Sequence, residues 1–260
     1  MDFPFSSKLA SRFEFVTETG STNADLMADF KDAPDFAVLV AGYQSAGRGR
    51  SGRSWEAPAG SSLFVSVLLK PTGIAATRFS WLPLLAGLAM AKSVQQLLPN
   101  KEVSLKWPND VLVGTNKISG VLSELIPNLS GVVVGAGLNV KQQRADLPIE
   151  TATSLTIEGS EADLDVALAA YLSNLRELYE AFVANNGDAV ASGLRAAVIE
   201  NCSTLNRGGK SRVRAILPGD KEILGDAVGI DDTGRLILQP DGGAELMPVA
   251  AGDIVHLRHN

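Results

Sequence analysis

A single cysteine, Cys202, in 260 residues excludes an internal disulfide and any metal site built from several cysteines, and it suits a reducing compartment. Basic charge is also in short supply. With 23 Lys and Arg against 29 Asp and Glu the net charge is −6, and a chain whose main business is the nucleic-acid backbone usually carries a positive field. No long hydrophobic run exists: the most apolar stretch, Leu82 to Ala91, is ten residues, about half of the roughly 20 that a membrane span requires. The start, Met1-Asp2-Phe3-Pro4-Phe5, has an acid where a secretory leader needs bases, and Arg12 and Glu14 interrupt any apolar segment behind it. A cytoplasmic protein without a membrane partner is expected. The G-x-x-x-x-G-K-[ST] pattern is absent, so a P-loop nucleotide site is not available. Internal repeats and low-complexity tracts are missing too, and 45% hydrophobic with 20% charged residues is too apolar for a disordered chain.

The length allows one large domain, or one large and one small. Ser21-Thr22-Asn23-Ala24-Asp25 puts hydroxyl and amide groups before the apolar Leu26, Met27 and Phe30, which predicts a helix start after a short irregular segment, with Pro34 ending the helix. Phe36 to Tyr43 and Ser62 to Leu69 read as buried strands, and Phe79 to Leu98 as a core helix. Val103 to Trp107 is a strand running into Pro108. Val111 to Val113, Ile118 to Leu125 and Val132 to Val140, separated by Gly114-Thr115-Asn116 and by Pro127 to Gly131, predict a three-stranded meander. Leu164 to Val183 has helical spacing, and a second helical stretch runs to about Glu200. After Asn206-Arg207-Gly208-Gly209 come short apolar runs punctuated by Gly and Asp, which predict a small all-β module. The division is therefore 1–205 and 206–260.

Three clusters carry chemistry. Gly47-Arg48-Gly49-Arg50-Ser51-Gly52 matches G-x-G-x-x-G literally, but Pro58 and Gly60 break the helix that a dinucleotide fingerprint needs, and Val65 to Gly73 holds no acid. The loop instead offers Arg48, Arg50 and Arg53 among glycines that allow close backbone approach. Such forks of donors suit phosphate or carboxylate, although a solvated basic loop is the plain alternative. Lys106-Trp107-Pro108-Asn109-Asp110, with Lys117 across the hairpin, could hold phosphate, a metal ion or a nucleophilic amine, or be a polar turn. Gly135-Ala136-Gly137-Leu138-Asn139 weakens its strand with two glycines, which calls for the close approach of a ligand or of a packed helix.

Taken together, Gly20 to Asn23, Gln44 to Trp55, Lys106 to Asp110, Lys117 to Leu122 with Glu124, and Gly135 to Asn139 closely resemble, in order and spacing, the bacterial biotin–protein ligase family. The resemblance implies an α/β (α+β) catalytic domain on a mixed sheet, related to class II aminoacyl-tRNA synthetases, with a small C-terminal SH3-like β-barrel. It implies ATP, biotin and Mg²⁺ as cofactors and substrates, biotinyl-5′-AMP as intermediate, and a biotin carboxyl carrier domain as acceptor; a lipoate–protein ligase is the nearest alternative. Only about 20 residues precede Ser21, so the ligase-only form without a DNA-binding domain, and no DNA partner, is expected. By the same resemblance Ser21, Thr22, Asn23, Gln44, Gly47 and Arg48 would bind biotin. Arg50 and Arg53 would close over the adenylate, and Lys117 would bridge carboxylate and phosphate beside Gly120. Asp110 would position Mg²⁺ or the incoming amine, Trp55 and Asn139 would face adenine, and Arg258 would reach the nucleotide.

Overall fold

The computed structural model describes residues 1–206, 208–217, 219, 221–250 and 252–257. The larger part is a mixed sheet. β1 (Arg12–Val16) runs parallel to β2 (Ala37–Ala41), and β2 is antiparallel to β3 (Ser62–Leu69). Next come β4 (Val103–Lys106), β5 (Asp110–Val113), β6 (Asn116–Leu125) and β7 (Val132–Asn139), giving the spatial order β1-β2-β3-β7-β6-β5-β4.

The side-chain period of two divides this sheet into faces. Leu63, Val65, Val67 and Leu69 of β3 point to a main core shared with α2 (Leu82–Leu97) and α3 (Leu164–Ala184). On the other face α1 (Thr22–Ala28) covers one corner, where Leu26 joins Leu39, Leu68 and Val133 in a smaller cluster. The rest of that face is left without a helix, and the candidate site forms there. Asp163 caps α3 by accepting from Val166 N at 2.9 Å, while buried Asp165 accepts from Phe5 N, Ser6 N and Ser6 Oγ and so fastens the N-terminal segment.

After α4 (Leu194–Asn201) the chain builds a second, antiparallel sheet from β8 (Ser211–Leu217), β9 (Lys221–Ile230), β10 (Leu236–Pro240), β11 (Met247–Val249) and β12 (Asp253–His256), ordered β11-β10-β9-β8-β12. Among the described residues no ladder joins β11 to β12, so this sheet is open, where a closed barrel is expected from the resemblance. It does not stand apart from the larger sheet. Val213, Leu236 and Ile254 belong to the main core, and two indoles reach across: Trp81 Nε1 donates to Asp232 O at 2.8 Å and Trp107 Nε1 to Gly234 O at 3.1 Å.

The elements follow the expected order with four differences. The meander has four strands, because Lys106 and Asp110 pair across a tight turn and bring β4 into it. β1 lies in the segment expected to be irregular; Arg12 and Glu14, the charges that argue against a leader, alternate with Phe13 and Phe15 in a half-covered edge strand. β11 carries Pro248, which lacks a donor and is tolerated because the strand is an edge. α1 stops at Ala28, where Asp29 N bonds to Asp25 O and the Asp29 carboxylate pairs with Arg12, well before Pro34.

Trp107→Phe keeps the ring but leaves the Gly234 carbonyl unpaired and a small void, so it should lower stability by about 1–3 kcal/mol. Thermal unfolding checks this, and a variant as stable as the parent would show that the indole bond does not tie the two sheets together.

Candidate active site

A cavity of about 540 Å³ opens on the uncovered face of the larger sheet. One end is built on the first turn of α1. Gln44 Oε1 accepts from Thr22 N at 2.8 Å and Thr22 Oγ1 at 3.0 Å, and Ser66 Oγ donates to Asn23 Oδ1 at 2.6 Å. Asn23 Nδ2 donates to Leu122 O at 3.1 Å and Glu124 Oε2 at 2.8 Å. Asn23 lines the cavity, yet both ends of its amide are committed to the protein; it is a scaffold beneath Thr22. Ser21, at the N-cap position, makes no capping bond with its side chain.

The Gly/Arg loop folds back on itself, with Trp55 N donating to Gly47 O at 2.9 Å and Gly49 N to Arg53 O at 2.6 Å. Gly47 is buried under this return: a Cβ there would sit 2.3 Å from Trp55 O, so its part is structural and it does not line the cavity. Each arginine has an acceptor. Arg48 Nη1 lies 3.7 Å from Glu124 Oε1, Arg50 Nη1 donates to Asn109 Oδ1 at 2.9 Å, and Arg53 Nη2 meets Asp253 Oδ1 of β12 at 2.9 Å. Burial lowers the pKa of the Arg50 guanidinium, with Asp253 and Asp110 opposing that shift.

The floor explains the glycines of β6 and β7. A Cβ on Gly135 would lie 2.2 Å from Asn23 Oδ1, and one on Gly137 would lie 2.4 Å from Trp55 Cε2. A helix residue thus needs the first glycine, and the indole of the loop needs the second. Gly120 lies under the same ring, where a Cβ would sit 3.1 Å from Cζ3, and Trp55 Nε1 is buried there with no partner among the described residues. Beside the ring, Lys117 Nζ stands 5.4 Å from its centroid and 2.7 Å from Asp110 Oδ1. The position of Lys117 is fixed through its backbone, whose N donates to Thr151 O at 2.7 Å and whose O accepts from Thr153 N at 2.8 Å.

The far wall was not legible in the sequence. Pro148, Ile149 and Ala152 come from an irregular segment, and Arg144 holds it by donating to Ile149 O at 2.7 Å and Ala152 O at 2.6 Å. Nothing in local composition marks Arg144 as a clamp. Asn109, in sequence one member of a polar cluster, bridges the site: it accepts from Arg50 and donates from Nδ2 to Val121 O at 2.9 Å. Asn139 is buried on the cavity wall with Nδ2 on Thr153 O at 2.9 Å and Oδ1 receiving Gln142 Nε2 at 3.0 Å. Of the expected site residues, Ser21, Thr22, Asn23, Gln44, Arg48, Arg50, Arg53, Trp55, Asp110, Lys117, Gly120 and Asn139 line this one cavity. Arg258 lies outside the described residues.

The open face of the mixed sheet carries a polar pocket at one end and a cluster of cations at the other, and the relatives this chain matches make it an enzyme, a ligase. Residues 13–139 match the biotin/lipoate A/B protein ligase family, and residues 211–257 match the biotin protein ligase C-terminal domain. The chain is 41% identical over 253 residues to the biotin–acetyl-CoA-carboxylase ligase of Mycobacterium tuberculosis, covering 95% of this chain and 90% of that protein. It is 34% identical to the bifunctional ligase/repressor BirA of Escherichia coli, over 85% of this chain and 67% of that protein. In structure it is similar to biotin protein ligase from Aquifex aeolicus in complex with biotin and ATP, with a TM-score of 0.76 and 28% identity over 96% of this chain and 100% of that one. The chain belongs to the biotin protein ligase family.

The glycine floor makes a ranked prediction. Gly137→Ala, whose Cβ would meet the Trp55 ring at 2.4 Å, should shift tryptophan emission and weaken ligand binding more than Gly120→Ala, where the contact is 3.1 Å. Equal emission spectra for the two variants would contradict a ring seated on Gly137.

Proposed function

We propose that this chain activates biotin with ATP, giving biotinyl-5′-AMP and pyrophosphate, and then transfers biotin to a lysine of a biotin carboxyl carrier domain. One observation carries the reading: segments as far apart in sequence as Ser21 and Asn139 line a single cavity that is polar at one end and cationic at the other. A carboxylate attacking a phosphate brings two anions together, which requires cations and the exclusion of water. Two further findings favour biotin over lipoate, the match to a biotin protein ligase C-terminal domain and the named relatives.

In this reading Ser21, Thr22 and Gln44, with Arg48, hold the biotin ring and tail, and Gly47 and Asn23 keep that end in shape. Lys117 lies between the carboxylate and the phosphate oxygens and neutralises both, while Arg50 and Arg53 cover the adenylate. Trp55 and Asn139 face adenine, which requires the indole or the Asn139 amide to exchange its present neighbours for the base. In the second step the acceptor amine attacks the acyl carbon and AMP departs. Mg²⁺, when bound, shields the phosphate charge. Asp110 would supply a carboxylate to that ion or position the incoming amine; no group of three His, Cys, Asp or Glu that could hold a metal exists among the described residues.

We further assign residues 1–205 to a catalytic domain of class II synthetase type and 206–260 to an SH3-like module. A cytoplasmic setting rests on the single cysteine, and no helix among the described residues is long and apolar enough to cross a membrane. No DNA partner is proposed, given the net charge of −6.

Incubation with biotin, Mg-ATP and a carrier domain should add one biotinyl group to one lysine, read by mass, whereas lipoate should add nothing; transfer of lipoate instead would replace this reading. Lys117→Ala should fold normally but lose biotin-dependent pyrophosphate release by about 10- to 100-fold, the size expected when a charge-assisted contact is removed from a dry site. Near-normal release would take Lys117 out of the chemistry.

A further inference from the structure

We infer that Lys106 receives the departing pyrophosphate at the edge of the sheet, as a binding residue of the first half-reaction. The proposal rests on the biotin-activating reading above. Strand register is its basis. Gly137 of β7 pairs with Gly120 of β6, Gly120 with Asp110 of β5, and Asp110 with Lys106 of β4. Directly opposed residues share a face, so this row crosses the floor of the cavity and ends on a lysine one strand, about 4.8 Å, beyond Asp110.

Direction follows from the chemistry. The carboxylate approaches from the polar end, where Gln44 follows β2 and Ser66 stands on β3. In a phosphoryl-group displacement the leaving oxygen departs opposite the attacking one, here away from β3 and towards β5 and β4. Among the described residues two cations there have no ion pair, Arg50, which has the Asn109 amide instead, and Lys106. Arg48, Arg53 and Lys117 have carboxylates within 4 Å, whereas among the described residues Lys106 has no ion pair. The charges around it are Asp110, Lys117, Asp253 and Arg53, and burial lowers its pKa, so that an arriving anion would favour its charged form. The pKa of His256 of β12 is lowered by burial and, second, by this same cation.

A structural tie to Asp253 would make a different prediction, and two half-reactions separate them. In the full chain, Lys106→Met, which keeps the apolar stem, and Lys106→Ala should raise the half-saturating pyrophosphate and ATP in biotin-dependent exchange by about 10- to 100-fold. The half-saturating biotin and the transfer from preformed biotinyl-5′-AMP to an acceptor should stay near the parent values, and Lys106→Arg should recover most of the loss. Unchanged pyrophosphate dependence in Lys106→Met would overturn the proposal, as would a parallel loss in exchange and transfer. A parent chain that exchanges no pyrophosphate with biotin would instead sink the activity itself, a separate result.

Discussion

Lys117 and Asp110 stand 2.7 Å apart on neighbouring strands, and the Coulomb problem that this pair relieves sets the layout of the whole cavity. Several cations must face one small volume before any anion arrives, and in a half-dry site their mutual repulsion is stronger than in water. The chain answers with an acceptor for nearly every donor: Glu124 for Arg48, Asn109 for Arg50, Asp253 for Arg53 and Asp110 for Lys117. Each acceptor sits on a strand or at its end, so the donors are aimed in advance. Preorganised charge of this kind needs little rearrangement when a transition state forms.

The second constraint is steric. A sheet floor normally presents a side chain at every other residue, and here Gly135 and Gly137 of β7 present none. The space is filled by Asn23 and by the Trp55 ring, which brings a loop and a helix from opposite directions down onto the same strand. Glycine in a strand interior costs stability, and β7 tolerates it because its other face carries Val132, Val134, Ala136 and Leu138 in the main core. Floor and core thus divide the two faces of one strand between function and stability.

How far the sequence could be read follows from the range of the forces involved. Buried strands and amphipathic helices are written in local periodicity, and β3 and α3 lie where the pattern puts them, α3 to within one residue. The convergence of the motifs was visible because residue types with one chemistry recur in order. What stayed hidden depends on contacts distant in sequence: the glycines of β7 could not be assigned to helix or ligand until Trp55 and Asn23 were seen against them, and Arg144 looks like any surface arginine until its carbonyl partners are known. β1 was hidden for a different reason. Its Arg12 and Glu14 were read as interruptions of an apolar run, when they are the outward half of an alternating strand.

The C-terminal sheet bears on the site through two sets of contacts of different chemistry. Trp81 and Trp107 fasten the turn at Asp232 and Gly234 by buried indole bonds, close to the start of α2 and to the strand end that carries Asn109 and Asp110. Arg53 and Arg50 reach the opposite side of the same sheet, at Asp253 and the Gly252 carbonyl, through longer or exposed contacts. The indole bonds are buried or half-buried, the Arg50 contact is long and half-buried, and the Arg53–Asp253 pair is exposed, of the kind that contributes at most about 1 kcal/mol. The C-terminal sheet thus touches both the start of α2 and the Gly/Arg loop, the latter through contacts roughly 200 residues apart in sequence.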